Sequence, residues 1–427
     1  MKRFCWVLLL PPLYFAWVVW LMPTDRLGTA DRSPGQGNRF FYDDFDVTAY
    51  VLRGLNANVG RDAGRLTEPD ILAMETFNAR LDSAPPLADR FFLEYPHVVL
   101  WVFQGVMRIA DLPGERIIPH IVFDSRQHNI VWHQPRNDEE HKLWRRFRFG
   151  ITCVFALSTL IVMANIVVLR WGFGEPLPPV WLLALPASLY FGLNRFDALP
   201  SLLVVLSFAM LHHRRFTLSG MLLALACLVK VYPVLLGPLF VRYLQNDRRA
   251  LRSFLIGGFA TGCGVLGLVF LMHGWEAMIA PYRFQLSREA EPGWTFYGIV
   301  LPEFLASRSC GIVRLGIVLV VLGLLMRSRP TSLDELLKKS VVVLIAFASL
   351  QVFFSPQWLW WFVPLLIILA RNDRRLIWLV LAFDVLTYVS FPLVYDELDA
   401  PLEPIVRPLL VWIRVGLLVW IVRRILR

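Results

Sequence analysis

The sequence predicts an all-α polytopic membrane protein, on three observations. Hydrophobic residues make up 56% of the 427 residues, whereas a soluble domain is typically about 45–50% apolar with glycine counted. The apolar residues occur in repeated runs, several of which approach the roughly 20 residues that cross a bilayer core. Short blocks of Lys and Arg separate the runs, which is the pattern of the positive-inside rule.

The first apolar run, Phe4 to Met22, predicts an uncleaved transmembrane helix. A cleaved signal peptide is the alternative, since Gly28-Thr29-Ala30 offers small residues at a suitable spacing. The run is longer than an ordinary signal-peptide core and ends in the aromatic stretch Trp17 to Trp20. These two features favour the transmembrane helix.

The remaining runs predict about 11–13 transmembrane helices in total. Several runs after residue 180 are too short to cross a bilayer alone, and broken helices are tolerated where they line protein rather than lipid. The predicted organisation is a first helix at 1–22, an extracytoplasmic catalytic loop with short interfacial helices at 23–94, a transmembrane module at 95–272, a substrate loop at 273–310 and C-terminal helices at 311–427.

The basic blocks predict that both termini are cytoplasmic. The 23–94 loop, with 12 acidic residues against 8 Arg and no Lys, then faces the outside. Lys230, the 273–310 loop and the notch Ser355-Pro356-Gln357 fall on that same side. Simple alternation through 95–211 conflicts with this assignment, so one segment there is expected to be re-entrant or non-spanning.

Composition also argues against several classes of protein. The formal net charge of +10 is spread between hydrophobic runs rather than on one basic face, so we expect contact with membrane lipids and no nucleic-acid binding. The five cysteines form no CxxC pair or spaced framework. No His or Asp cluster has metal-ligand spacing, so we predict no metal and no cofactor.

An acidic and aromatic stretch directly after the first span supplies the candidate catalytic group. It contains Asp43, Asp44 and Asp46. Carboxylates beside a bilayer are costly to desolvate and are therefore often functional. A role as helix N-cap accounts for one of these acids but not for three. Asp46 and Tyr50 are four residues apart and share a face of a helix.

Cations on the predicted outer side supply candidate phosphate ligands. Lys230 ends one apolar run against the positive-inside trend, and Arg195 lies between two short runs. Each also has a structural explanation, because Lys can extend to the interface and Arg195 can pair with Asp197 in a tight turn. Arg288, in the 273–310 loop, is the third candidate. Polar and aromatic neighbours predict substrate contacts at Tyr50, Tyr95, Tyr232, Gln285, Glu291, Trp294 and Gln357.

The order of these pieces resembles the membrane-integral GT-C glycosyltransferases, nearest to glycosyltransferase family 87 (DUF2029), which uses polyprenyl-phosphomannose. The pieces are the Asp46 to Tyr50 spacing, Tyr95-Pro96, Asn194-Arg195-Phe196-Asp197 to Pro200, Gly220 with Lys230-Val231-Tyr232-Pro233, and Ser355-Pro356-Gln357-Trp358. Two positions depart from the pattern. Gln285 stands near Arg288 where related enzymes often carry a His, and His97 replaces a second Pro.

The resemblance implies a GT-C-type bundle that transfers a hexose, with mannose favoured, from a polyprenyl-phosphate sugar to a lipid or glycan acceptor. It implies inversion at the sugar, Asp46 as general base with Asp44 and Asp43 as the next candidates, and a location in the bacterial plasma membrane. A lipid-linked glycan polymerase or ligase, a transporter or flippase, and a non-catalytic scaffold are the alternatives. A transporter would place charges within several spans, whereas most charges here lie at span ends.

Overall fold

The computed structural model describes residues 2–21, 96–111, 121–124, 129–132, 138–173, 176–287, 295, 299–300, 308–351, 354–394 and 403–427. The chain divides into two compact units. Unit 1 comprises residues 1–12, 160–265 and 288–427, and unit 2 comprises residues 13–159 and 266–287. The predicted catalytic loop at 23–94 lies outside the described residues.

The described residues are almost entirely helical, as the composition predicts. The helices are α1 (Lys2–Leu21), α2 (His97–Ile109), α3 (Asp138–Trp171), α4 (Pro186–Asn194), α5 (Ala198–His212), α6 (Phe216–Val229), α7 (Gly237–Leu244), α8 (Arg248–Ser287), α9 (Arg308–Arg327), α10 (Leu333–Ser349), α11 (Leu359–Leu369), α12 (Arg374–Tyr388) and α13 (Glu403–Leu426). Short 3₁₀ segments precede α4, α7, α11 and α12, and a π-helical turn follows α12.

One small sheet departs from the all-α prediction. Strands β1 (Ile121–Asp124) and β2 (Asn129–Trp132) form an antiparallel hairpin in which Ile121 pairs with Trp132. The hairpin lies in the polar 113–148 segment, for which no strand was predicted. Its four-residue strands leave the helical membrane architecture unchanged.

Three described helices are long and apolar enough to cross a membrane, namely Arg148–Trp171, Arg248–Trp275 and Ile405–Leu426. A fourth crossing is possible if α4 and α5, which meet at a 107° bend, count as one span. The other apolar helices are shorter, as the run lengths indicated. By length and composition the described residues contain three or four spans, and the total of about 11–13 helices for the whole chain stays a prediction.

Helices α5 and α6 form a tight antiparallel hairpin in unit 1. Ser207 donates from Oγ to the carbonyl of Ser219 at 2.8 Å, and Ser219 returns the bond to the carbonyl of Ser207 at 2.9 Å. Both residues are buried. Their hydroxyl groups have no water to bond there, so bonds between the helices satisfy them. We call these two reciprocal bonds between Ser207 and Ser219 the serine clasp. It joins α5 to α6 in a hairpin that places the start of α5 beside the end of α6.

Glycines let α6 approach α8 closely. A Cβ built on Gly220 would lie 2.0 Å from the carbonyl oxygen of Phe254, and one on Gly257 would lie 2.2 Å from that of Thr217. Backbone contact of this kind needs small residues and is common between membrane helices. The close packing explains Gly220, which the sequence pattern had singled out without a physical reason.

Ionic contacts collect at one end of unit 1, which we call the basic end. It is defined by Lys339, Arg371 and Arg424 with their partners. Arg371 pairs with Asp334 at 2.7 Å and Arg424 with Asp373 at 2.6 Å. Lys339 donates to the carbonyl of Leu325 and to Ser328. These contacts join the ends of α9, α10, α12 and α13.

Candidate active site

The candidate site lies at the break between α4 and α5. The basic end lies at the opposite end of α5. Arg195 leaves α4 in an extended conformation (φ −128°, ψ 153°), and α5 begins three residues later. The chain turns by 107° there. Broken helices in membrane proteins expose polar backbone only where protein or a polar site satisfies it. Asn165 of α3 supports the break by donating to the carbonyl of Ala198 at 3.1 Å.

Asp197, the residue before α5, is a fully buried carboxylate. Its Oδ1 accepts a hydrogen bond from Lys230 Nζ at 2.5 Å and another from the indole N–H of Trp361 at 2.7 Å. Its Oδ2 has no hydrogen-bond partner among the described residues. Since an isolated buried charge is very unfavourable, the ammonium of Lys230 is what permits the carboxylate to be there.

Lys230 stands directly after α6 in an extended conformation. Its ammonium lies 4.8 Å from the ring centroid of Phe196 and 5.4 Å from that of Trp361, both within the range of cation–π attraction. The Lys230 side chain is 19% exposed, whereas the Asp197 side chain is 0% exposed. Lys230 is therefore the more accessible side chain of the pair.

The two charges also suit the helix ends that carry them. Asp197 is at the N-terminus of α5 and Lys230 at the C-terminus of α6. A helix N-terminus favours a negative charge and a C-terminus a positive one. The serine clasp between α5 and α6 brings these two ends together, so the hairpin itself positions the ion pair.

A wall of stacked aromatic rings backs the ion pair. Tyr232 stacks on Trp361 with centroids 4.5 Å apart, and Trp358 stacks on the same indole at 4.5 Å. Phe347 of α10 lies 5.9 Å from it. The Tyr232 hydroxyl is buried without a hydrogen-bond partner in the described parts of the chain. Such a wall excludes water and strengthens electrostatic interactions at the ammonium.

Neighbouring tryptophans on α11 have different partners. The indole of Trp360 donates to the carbonyl of Ser188 at 3.0 Å, and its ring occupies the space beside Gly192 of α4. Trp361 instead bonds Asp197. The same short helix therefore supports both sides of the α4–α5 break. Asp384 of α12 completes the support, since its carboxylate accepts from the backbone N–H groups of Ala187 and Ser188 at the start of α4.

The structure brings some of the predicted site residues together. Lys230 and Tyr232 both contact Trp361, and Arg195 precedes Asp197 by two residues. Gln357, which accepts a 2.6 Å bond from the Ser355 hydroxyl, is next to Trp358. The backbone of Gln285 belongs to α8, whereas its side chain is outside the description. Asp43, Asp44, Asp46, Tyr50, Tyr95, Arg288, Glu291 and Trp294 lie outside the described residues.

Sequence reasoning missed two members of this site. Asp197 was considered only as a partner of Arg195, but its carboxylate bonds Lys230, which is 33 residues away. Trp361 lies in the apolar run at 358–370. A tryptophan in such a run normally serves hydrophobic packing, so it was not considered as a site residue. One feature of the sequence could have indicated Asp197: it lies between two apolar runs that are each too short to span a membrane. A buried carboxylate at such a place needs a cation from another part of the chain.

Chemically, the arrangement offers an ammonium that can bind an anion, held beside a carboxylate and aromatic rings. Lys is a compact point charge and a common phosphate ligand. In the described part of the chain no group of three His, Cys, Asp or Glu residues is placed to hold a metal ion. The ammonium of Lys230 therefore complements an anionic group.

The comparison with known families agrees with this chemistry. The sequence model of glycosyltransferase family 87 matches residues 144–356, about half of the chain. This chain belongs to glycosyltransferase family 87. The matched region contains Asp197, Lys230 and Tyr232. No curated protein matches the chain closely enough to count as a relative.

As a family 87 member the protein is a membrane glycosyltransferase. A glycosyltransferase needs a sugar donor and an acceptor, and its leaving group is commonly anionic.

Proposed function

We propose that this enzyme transfers a hexose, with mannose favoured, from a polyprenyl-phosphate sugar to a lipid or glycan acceptor. The observation that supports the proposal is Lys230, whose side chain is partly exposed and whose ammonium contacts a buried carboxylate and two aromatic rings. A polyprenyl phosphate carries an anionic group at the membrane surface, and an ammonium fixed in an apolar body complements that group.

The proposed chemistry is a direct displacement. The acceptor hydroxyl oxygen attacks the anomeric carbon, and the bond from that carbon to the phosphate oxygen breaks. The electron pair leaves with the polyprenyl phosphate, on which negative charge increases in the transition state. Lys230, with Arg195 and Arg288 as further candidates, would stabilise this charge.

A carboxylate of the 23–94 loop would take the proton of the attacking hydroxyl. Asp46 is the first choice for this general base, followed by Asp44 and Asp43. One displacement inverts the anomeric configuration, and no second carboxylate acting as nucleophile is required. Tyr50, Tyr95, Gln285, Glu291 and Trp294 are proposed to contact the sugar or the acceptor, together with Tyr232 and Gln357.

The proposed location of the reaction is the extracytoplasmic face of a bacterial plasma membrane, with both termini in the cytoplasm. Within unit 1 the site around Lys230 and the basic end lie at different ends of α5, α6, α10 and α11. The positive-inside rule would place the basic end in the cytoplasm. Lys230 would then meet a donor presented from the outer leaflet.

The direct test is an assay of the purified enzyme with radiolabelled polyprenyl-phosphate mannose and a lipid acceptor extract. We expect transfer by the native protein, and a loss of about 10²–10⁴-fold for Asp46→Asn, the usual range for removal of a general base. Transfer at the native rate by Asp46→Asn would remove Asp46 from this role. Use of a nucleotide sugar with no turnover of the polyprenyl-phosphate sugar would contradict the proposed donor.

Lys230→Met tests the phosphate contact. We expect the KM for the donor to rise and kcat to fall, because the ammonium contacts the phosphate before and during departure. Matched measurement of the acceptor KM provides the control, since Lys230 is not proposed to touch the acceptor. An unchanged donor dependence would remove Lys230 from the donor site.

A further inference from the structure

Asp197 has a conformation that an ordinary helix-capping aspartate does not have. An N-cap residue usually has extended backbone angles, so that its side chain reaches the N–H groups of the first turn. Asp197 has helical angles (φ −60°, ψ −21°) and makes no side-chain capping bond. By contrast, Asp373 at the start of α12 is extended and accepts from the N–H groups of Arg375 and Leu376. Local capping therefore does not explain Asp197.

The carboxylate of Asp197 instead directs two groups. Lys230 and Trp361 donate to the same oxygen, Oδ1, at 2.5 and 2.7 Å. The bond from Trp361 fixes the carboxylate, and the carboxylate then fixes the ammonium. Cation–π attraction from Phe196 and Trp361 depends weakly on direction. The bond from Asp197 therefore adds a directional restraint to a lysine ammonium that ends a flexible four-carbon chain.

We infer that Asp197 is a positioning residue that fixes the Lys230 ammonium against the leaving phosphate of the donor. The inference rests on the function proposed above. Asp197 is fully buried and Lys230 is the accessible partner, so Asp197 acts through Lys230 and does not itself contact the substrate. Trp361 is the second part of this device, because its indole N–H orients the Asp197 carboxylate.

The inference predicts a specific kinetic signature for Asp197→Asn. The ammonium and its charge remain, so the donor phosphate still binds and the donor KM changes less than about threefold. The ammonium is less well placed when charge develops on the leaving phosphate, and a misplacement of about 1 Å can reduce a rate by about 10²-fold. We therefore expect kcat to fall about 10- to 100-fold.

The decisive experiment is a double-variant comparison with the polyprenyl-phosphate mannose assay, with rates expressed per folded enzyme. If Asp197 acts through Lys230, Asp197→Asn lowers kcat in the native background and has no further effect in the Lys230→Met background. An equal loss of kcat in both backgrounds would overturn the inference. A fall in thermal stability with no change in kcat would also overturn it, since Asp197 would then be structural only.

A second variant covers the case in which Asp197→Asn does not fold. Asp197→Glu keeps the charge and moves it by one methylene group, so we expect the same loss of kcat with a native donor KM. A native kcat for Asp197→Glu would overturn the inference.

Asp384→Asn is the matched control, because Asp384 is equally buried but caps α4 and contacts no cation in the described residues. We expect its effect on kcat to be the same in both Lys230 backgrounds, which is the behaviour of a structural residue.

Failure of the inference and failure of the proposed function give different results. Lys230→Met with native donor kinetics would refute the phosphate contact of the proposed function. Lys230→Met with a raised donor KM, together with native kinetics for Asp197→Asn, would refute only the positioning role.

Discussion

The two ends of unit 1 use charge in different ways. At the candidate site one carboxylate with no exposure pairs with one lysine among aromatic rings. At the basic end several pairs are partly exposed, such as Arg371 with Asp334, whose side chains are 15% and 48% exposed. His212, at the end of α5, also interacts electrostatically with this second group.

The aspartates at the two ends show the difference most clearly. Asp373 at the basic end caps α12 with Oδ1 and pairs with Arg424 through Oδ2. Asp197 leaves its helix uncapped and gives Oδ1 to Lys230 and Trp361. The first caps its own helix, and the second bonds two side chains from other parts of the chain.

This difference indicates where a change should matter. Exposed pairs contribute little because water competes for both partners. The stability of the protein is sensitive to loss of either partner of a buried pair, because the remaining charge is then buried without a counter-charge or water. The contrast separates one buried ion pair from several partly exposed pairs at helix ends.

Removal of the cation at the site should have the largest effect on stability. Lys230→Met leaves the Asp197 carboxylate buried without its cation, and we expect the free energy of unfolding to fall by about 3–5 kcal/mol. Adding Asp197→Asn to this variant should recover part of the loss, since both charges are then gone. Unfolding in mixed detergent micelles measures both effects. A double variant less stable than Lys230→Met would contradict the buried-pair account.

The helix that joins the two ends should be the next most sensitive element. Gly220→Ala places a Cβ 2.0 Å from the Phe254 carbonyl, so α6 and α8 must separate, and overpacking of this kind costs about 1–3 kcal/mol. Gly262 lies in α8, and a Cβ added there meets no atom within 4 Å. The control variant Gly262→Ala should therefore not destabilise the protein. Thermal denaturation followed by helical circular dichroism compares the two variants.

Loss of a pair at the basic end should have a small effect. Arg371→Gln removes the contact with Asp334, and we expect a loss of less than about 1 kcal/mol with native transfer activity. Arg374→Gln is the control, because the exposed Arg374 makes no ion pair within the described ranges. A loss as large as that of Lys230→Met would erase the distinction between the two ends.

The smallest expected effect is a pH dependence at the basic end. The backbone N–H of Thr331 lowers the pKa of Glu335. Burial opposes ionisation of Asp373, but hydrogen bonds from Arg424 and the N–H of Leu376 outweigh it and lower its pKa. The unfolded chain then binds more protons in acid, so the stability from these groups is present above the ordinary carboxyl pKa near 4 and is lost as the pH falls through the folded values.

Unfolding measured from pH 6 to pH 3 should show this loss. A variant with both Glu335→Gln and Asp373→Asn should have a shallower dependence on pH over the same interval. An unchanged slope would show that other carboxylates account for the acid sensitivity.

Much of the fold could be predicted, because the apolar core of a bilayer requires long runs of apolar residues in the helices that cross it. Apolar runs separated by basic blocks predict a helical membrane protein, and the described helices follow those runs. Several runs after residue 180 were recognised as too short to span, and the structure shows one of them, at 198–211, as half of a pair bent by 107°. The hairpin of β1 and β2 was missed because strands of four residues leave little pattern.

The site was predictable in part. Lys230 and Tyr232 were identified because a lysine against the charge trend is unusual, and the structure places both beside Trp361. Asp197 was considered only in an alternative that paired it with the nearby Arg195, whereas the α5–α6 hairpin brings it to Lys230. The roles of Asp46 and the other residues of the 23–94 loop stay predictions.

The sequence by itself determined that this chain is a helical membrane protein and that charges between short apolar runs are candidates for function. It does so because burial of apolar surface and exclusion of charge act residue by residue. Only the tertiary structure decided which charges meet. Asp197, Lys230 and Trp361 come from three separate stretches, and their contact depends on a serine clasp and glycine packing whose geometry no local pattern contains.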